Sequence, residues 1–410
     1  MTDKKVLVYI NLDCVDYFVG TLWSHFSRGK ETSDFEYSDE WLNYKNSFSL
    51  EPGLFFGKGK QVNTRQLPLF GSFGDSAPDT WGRILMRRYE NQLAKKENRS
   101  PRTLNEIDYL LFVNDIARQG ALRFKTENSD EFLYSSNIKA IPPLIDLTKL
   151  LAASEKIIES SEKESDLQLL LAPGSSLGGA RPKASVLDKN GDLCIAKFPK
   201  KDDFTNNVLW EGVALTLAKQ CELNVQEWSI QKAGKKNVIL LKRFDRKKGN
   251  LRIPFLSAMS MLNAIDNDTQ IHSYLDIADA IRQYGANVKE DLLELWKRMV
   301  FSILISNTDD HLRNHGFLYI GAKGWKLSPL YDVNPSSDNK NVLSTYITQT
   351  DNTQDIELAL SVSEYFDLNM TEAKQIINNF RSVIKNWRNA AKQLGLNQSE
   401  IDKMESAFRV

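Results

Sequence analysis

The sequence predicts an α+β protein in three parts: a small β-rich N-terminal domain over residues 1–125, a sheet-plus-helix lobe over 126–250, and a helical lobe over 251–410. Three observations carry this expectation. Short β-prone runs fill the first sixty residues, a Gly/Ser-rich loop leads into two runs joined by Asn190-Gly191, and beyond residue 250 the apolar periodicity is almost wholly helical. The composition sets the class: 410 residues, 41% hydrophobic and 26% charged, are the balance of a soluble globular chain. Lys+Arg 53 against Asp+Glu 53 gives a formal net charge of +0, so no global field draws the chain to nucleic acid or to an anionic membrane. Cys14, Cys194 and Cys221 are scattered, with no CxxC pair, which argues against a disulfide framework or a structural zinc. Nothing reaches signal-peptide or membrane-span length, and a cytoplasmic location is expected.

Taken in order, residues 6–10, 17–23 and 53–56 read as strands of one small sheet. A helix is expected over 79–97, opening at Pro78-Asp79 and carrying Trp81, Ile84, Leu85 and Tyr89 at helical spacing; another over 103–116 starts with a capping-box pattern at Thr103 and Glu106. Residues 135–143 look like a linker, and 146–171 are mostly helical with a solvated charge run. Strands at 183–187 and 193–198 flank the Asn-Gly turn, a helix follows over 207–221, and strands at 227–232 and 238–241 lead into Arg243-Phe244-Asp245-Arg246. Helices are expected over 273–284, 290–305, 371–394 and 398–408, interrupted by a polar loop from Asn307 with β runs at 317–320 and 325–327.

Two places concentrate chemistry. The loop at 173–183 has Gly174, Gly178 and Gly179, which let backbone N–H groups close around phosphate oxygens. It is not a Walker A loop, because Ala180 stands where that motif has Lys and a hairpin follows instead of a helix; alone it reads more readily as a surface turn. Lys197 in an apolar strand and Glu211 in an apolar helix look like a buried ion pair. In the second place, Asp309 is followed five residues later by Asn314 and, beyond a β turn, by Asp332. That is the phosphotransfer arrangement in which one carboxylate orients the attacking hydroxyl while Asn and the later Asp hold Mg²⁺. A rival reading makes Asp309, Asp310, His311 and His315 the ligands of a metal-dependent phosphohydrolase, although Asn307, Thr308 and Gly316 make a poor helix for it.

With these residues in hand, the sequence resembles the HipA family of bacterial serine/threonine kinase toxins. The likeness rests on six ordered motifs: Pro78-Asp79-Thr80-Trp81-Gly82-Arg83, the Gly-rich loop from Ser176 to Lys183, Ile195 to Pro199, Arg243 to Arg246, Asn307 to Asn314, and Leu327 to Val333. The resemblance implies a bilobal protein-kinase-like fold with an added N-terminal domain. It implies an ATP-binding loop containing Ser176, Gly178, Gly179 and Lys183, with Lys197 on the ATP phosphates and Glu211 beside it. It further implies a hinge at Leu241, Arg243 and Phe244 lining the adenine, Asp309 as catalytic base with His311 nearby, and Asn314 and Asp332 on Mg²⁺. Ser176 would be an inhibitory autophosphorylation site. A HipB-like helix-turn-helix antitoxin is the implied partner, with DNA reached only through it, and the substrate would be a protein, such as the aminoacyl-tRNA synthetases that similar members phosphorylate. Lys242 departs from the acidic residue at that hinge position in the best-known member. A non-catalytic adaptor is the remaining alternative, set against the presence of Lys197, Asp309, Asn314 and Asp332 together.

Overall fold

Period-two patterning builds the first sheet: along β1 (Lys4–Leu12) Val6, Val8 and Ile10 are buried while the residues between them are not. The computed structural model describes residues 3–63, 67–133, 141–142, 144–171, 173, 179–265, 270–321, 323–338 and 340–410. It divides into two units, Met1–Lys201 with Lys232–Leu256 and Asp202–Gln231 with Ser257–Val410. Together they make a mixed helix-and-sheet, α+β protein with a small β-rich N-terminal region.

In the first unit β1 lies between β2 (Val15–Ser27) and β5 (Leu122–Thr126), and β3 (Lys30–Tyr37) and β4 (Gln61–Val62) complete the antiparallel order β4-β3-β2-β1-β5. No strand forms at the expected 53–56; Pro52, Gly53 and Gly57 keep that stretch in turns and leave Phe55 exposed. Helix α1 (Thr80–Lys96) starts where expected, because Asp79 Oδ1 accepts from the Gly82 N–H at 2.8 Å. Helix α2 (Glu106–Phe112) starts later than expected: Asn105 caps it, and Asp108 bonds back to the Asn105 N–H at 3.0 Å, a capping box two residues beyond the Thr103 start. Helices α3 (Leu147–Ile158) and α4 (Glu164–Leu171) join α1 around Trp81, Leu85, Leu150, Leu170 and Phe198. The second sheet of this unit pairs β6 (Lys183–Leu187) with β7 (Leu193–Lys197), and β7 with β8 (Lys236–Lys242), all antiparallel. The Asn-Gly turn is present as a loop in which Gly191 takes a left-handed φ of 80° and Asp188 Oδ1 accepts from both Asn190 and Asp192 N–H at 2.8 Å.

In the second unit α5 (Asn207–Gln220) is buried on nearly every face, as its unbroken apolar run predicts. Helices α6 (Tyr274–Tyr284) and α7 (Val288–Leu304) precede a hairpin of β9 (Gly316–Tyr319) and β10 (Trp325–Leu327). The expected helix 371–394 is two, α8 (Met370–Ile384) and α9 (Trp387–Gln393), broken at Lys385 and Asn386. The break turns Trp387 flat against Phe408, with ring centroids 4.2 Å apart, and brings it to Trp210 of α5. The last helix, α10 (Gln398–Lys403), is shorter than the expected 398–408. Among the described residues no helix is long and apolar enough to cross a membrane.

Candidate active site

Within the first unit, Lys197 closes β7 and stands directly opposite Lys183 of β6. Both are buried, at 8% and 2% exposure. Lys183 does not point its amine into open solvent: Nζ lies 3.0 Å from Asp79 Oδ2, and the Trp81 indole N–H donates to the Lys183 carbonyl at 3.0 Å. The flanks of β6 are fastened too, Ser185 N–H donating to Pro173 O at 2.6 Å and Phe198 N–H to Pro182 O at 2.9 Å. Of the loop residues expected at the phosphates, Ser176 and Gly178 lie outside the described residues, while Gly179 takes a φ of 96° that glycine alone tolerates well.

The expected hinge begins with Leu241, buried in β8, and Phe244, half-buried with its ring 6.1 Å from that of Phe255. Arg243 between them is buried, and its guanidinium is occupied by the Ala117 carbonyl at 2.6 Å, the Arg118 carbonyl at 3.2 Å and Asp245. Arg246 reaches Arg118 O at 2.6 Å and Gly120 O at 3.1 Å, and Asp245 accepts from the Gly120 N–H at 2.8 Å. Burial raises the Asp245 carboxyl, but the two guanidinium groups more than offset it and hold it well below the usual carboxylate range. The Arg-Phe-Asp-Arg motif thus fastens residues 117–120 to the strand end, and the Arg243 side chain is spent on that seam. Lys242 pairs with Asp192 at 2.9 Å near the surface, so its basic character has a local partner.

In the second unit Glu211 is buried on α5, at 4% exposure. The other residues of interest lie on the loop after α7. There Ser306 takes a left-handed φ of 50°, an unusual backbone state for serine, and the chain leaves the helix as a tight turn. Asp309 is exposed, and its backbone carbonyl accepts from the Asn314 amide at 2.9 Å and from the His311 N–H at 3.0 Å. Asn314 is buried; with its NH₂ committed to the backbone, its amide oxygen is the group left to meet a cation. The segment carrying Asp332 is tied to this loop from both sides: Tyr331 OH donates to Arg313 O at 2.6 Å and Asn334 N–H to Asn307 Oδ1 at 3.2 Å. Asp332 itself has a φ of 55°, strain held in place by these ties. A carboxamide oxygen and a carboxylate on two fastened loops are hard donors suited to Mg²⁺.

Sequence reasoning missed the residue that holds the loop. Asp310, beside exposed Asp309, is 4% exposed; it accepts from Tyr274 of α6 and from Ser302 Oγ of α7 at 3.1 Å, and its backbone carbonyl accepts from Thr345 N–H at 3.2 Å. His315 Nε2 lies 3.1 Å from Asp310 Oδ1, at ion-pair distance though off the hydrogen-bond line. Burial raises the Asp310 carboxyl, yet His315 and the two hydroxyl donors bring it below its ordinary value. His315 is therefore packed inward against Asp310. Among the described residues no three His, Cys, Asp or Glu side chains converge to hold a metal. The sequence offered only the tandem Asp309-Asp310 after a helix, with nothing local to say which acid is buried.

Comparisons with known proteins agree with this architecture. The family described as HipA-like C-terminal domain matches residues 175–393, more than half of the chain. A chain in the solved complex of the Shewanella oneidensis MR-1 toxin–antitoxin system HipA, HipB and operator DNA superposes with a TM-score of 0.68, covering 98% of this chain and 94% of that one at 15% identity, which shows a shared fold. A Helicobacter pylori proinflammatory kinase, CtkA, aligns over 55% of this chain and 90% of its own at 19% identity and a TM-score of 0.39, below what a shared fold requires. A Haemophilus influenzae protein described as a putative kinase is 26% identical over 180 residues, 39% of this chain, and the chain spans about half of that relative's length, 52%.

Proposed function

The chain belongs to the HipA family, and from that premise we propose that it is an ATP- and Mg²⁺-dependent protein kinase that phosphorylates Ser or Thr. The observation that carries the proposal is the fastening of the loop 307–314, itself closed by Asn314 on the Asp309 carbonyl, to the Asp332 segment by two hydrogen bonds, Tyr331 OH to Arg313 O and Asn334 N–H to Asn307 Oδ1. The Haemophilus relative described as a putative kinase supports the same class. In this reading Asp309, in solvent, accepts the proton of the substrate hydroxyl, and His311 stands close by. Asn314 and Asp332 hold Mg²⁺, which when bound neutralises charge on the ATP phosphates. Lys197 binds those phosphates, and Glu211 stays buried to support it. Leu241, Phe244 and the backbone at Arg243 receive the adenine. Catalysis then rests on positioning and charge neutralisation, with no nucleophile from the enzyme itself.

Three finer features belong to the same proposal. Ser176 autophosphorylation would switch the enzyme off by placing about −1.5 to −2 charges beside bound triphosphate. A HipB-like antitoxin would be the partner that brings the protein to DNA, as the HipA, HipB and operator DNA complex of Shewanella suggests. The growth-arresting substrate would be a host protein of the aminoacyl-tRNA synthetase kind. The three-part division at 1–125, 126–250 and 251–410 belongs to the proposal as well; a core around Val8 and Phe35 supports a separate N-terminal sheet, whereas the core around Leu150 and Val186 also takes in Trp81, Leu85 and Val113 from before residue 125. The test is radiolabel transfer from ATP·Mg²⁺ with peptide mapping of the product. Label on Ser or Thr that disappears in Asp309→Asn sustains the reading; transfer undiminished in that variant overturns it.

A further inference from the structure

Helix α7 ends in a pattern that usually calls for glycine. Asn307 N–H donates to the Ser302 carbonyl at 2.8 Å and Ser306 N–H to the Ile303 carbonyl at 3.3 Å, the two bonds of a Schellman close in which Ser306 is the left-handed residue. Its φ is 50°, a state that would cost glycine nothing and costs a residue with a Cβ. What serine adds is a hydroxyl, and among the described residues that hydroxyl has one partner: Ser306 Oγ accepts from Arg409 Nε at 3.1 Å.

Arg409 lies beyond α10 and is itself well fastened. Its N–H donates to the Leu304 carbonyl at 2.9 Å, and the ring of Phe408 before it stacks on Trp387. Its guanidinium meets no carboxylate among the described residues; instead Nη1 donates to Asn341 Oδ1 at 2.7 Å and Gln354 O at 3.3 Å, and Nη2 to Lys340 O at 3.4 Å. A planar fork of donors can serve such a set of acceptors at once, where a single ammonium could not. One side chain thus ties the exit of α7 to the stretch 340–354. That stretch grips the loop on both sides of Asp309: Ser344 N–H and Oγ donate to Thr308 O at 3.1 and 2.8 Å, and Thr345 N–H donates to Asp310 O at 3.2 Å. The Asp309 carboxylate makes no hydrogen bond or ion pair of its own among the described residues, so its place is set by its backbone.

We infer that Arg409 is a positioning residue for Asp309: it closes a ring of hydrogen bonds from Ser306 through Asn341 and the 344–345 pair that fixes the backbone on either side of the candidate base. The inference rests on the phosphotransfer reading above. Arg409 touches neither nucleotide nor metal in that reading, so its effect falls on the rate of transfer and not on ATP affinity.

Arg409→Ala should lower the single-turnover phosphotransfer rate at saturating ATP by about 10–100-fold, the upper end being what a displacement of about 1 Å can bring, with the Kd for ATP·Mg²⁺ nearly unchanged. Rates are taken per folded molecule, well below the melting midpoint, so that lost stability is not counted as lost chemistry. The deciding arm is the same substitution in an Asp309→Asn background. With no base left to position, Arg409→Ala should there cost under about twofold, whereas a merely structural residue lowers the rate equally in both backgrounds. Ser306→Gly keeps the helix end without backbone strain but removes the acceptor of Arg409 Nε; it should transfer several-fold more slowly with no loss of stability. Should Arg409→Ala fail to fold, Ser306→Gly decides, and an undiminished rate in it overturns the inference. An undiminished rate in folded Arg409→Ala, or an equal loss in the two backgrounds, overturns it as well while leaving the kinase reading intact, provided Asp309→Asn itself suppresses transfer. Wild-type protein that transfers no phosphate, or Asp309→Asn that transfers as wild type does, overturns the kinase reading and this inference with it.

Discussion

The two units each bury an acid at the centre of a polar cluster, and they use it differently. In the first unit Asp245 lies between Arg243 and Arg246, and together they grip Ala117, Arg118 and Gly120 through backbone groups. In the second unit Asp310 receives Tyr274, Ser302 and His315 from two helices and a loop, while the acid next to it in sequence stands in solvent. One cluster fastens structure to structure. The other fastens a loop and leaves the next acid, Asp309, in solvent, so two adjacent, chemically identical residues end in opposite environments.

The contrast can be broken most sharply at Asp309. Asp309→Asn should lower the phosphotransfer rate by roughly 10²–10⁴-fold, the usual yield of a positioned base, with thermal stability and ATP·Mg²⁺ binding nearly unchanged. A variant that transfers phosphate normally would erase the distinction between the two aspartates. Next in size is Asp245→Ala, which leaves two buried guanidinium groups uncompensated and should cost about 3–5 kcal/mol in denaturant unfolding. Asp310→Asn should likewise destabilise the second unit, and any loss of activity should track the unfolding.

The pH dependence sharpens the comparison from another side. Asp245 and Asp310 sit below their ordinary values, so the stability they contribute is present above the unfolded carboxylate range and is lost as pH falls toward their folded values. Glu51 has the opposite sign. Burial pushes it up from 4.5 to about 7, against hydrogen bonds from the Ser72 and Gly71 backbone. Its native state therefore holds a proton that the unfolded chain releases, and stability declines as pH rises from about 4.5 through 7. Glu51→Gln should remove that slope and leave the variant more stable above pH 7, by on the order of 3 kcal/mol, with little difference near pH 4.5. Melting curves across that range would show a slope that persists in the variant if Glu51 is not its source.

The smallest effect is expected at the end of β8. Lys242 and Asp192 form a partly exposed pair, at 38% and 20% side-chain exposure, so Asp192→Asn should shift unfolding by under about 1 kcal/mol. A loss as large as that of Asp245→Ala would mean that exposure does not separate the two classes of ion pair.

Local rules made much of this protein legible from its residues. The alternation in β1, the Asp79 cap on α1, the Asn-Gly loop between β6 and β7 and the all-round apolar α5 depend on neighbours a few positions away, and all appear where the sequence places them. The stretch at 53–56, the start of α2 and the split of α8 from α9 were misread, because turn glycines, a competing cap and the stacking of Trp387 on Phe408 each overrode a plausible pattern. The ordered motifs also marked out Asp309, Asn314 and Asp332 as candidates. Which of two adjacent aspartates faces inward, that Arg243 spends its side chain on a seam, and that Lys183 is held by Asp79 over a hundred residues earlier were decided only by tertiary structure. A charged group's surroundings consist of atoms distant in sequence, and burial sets both its partner and the free energy of its charge.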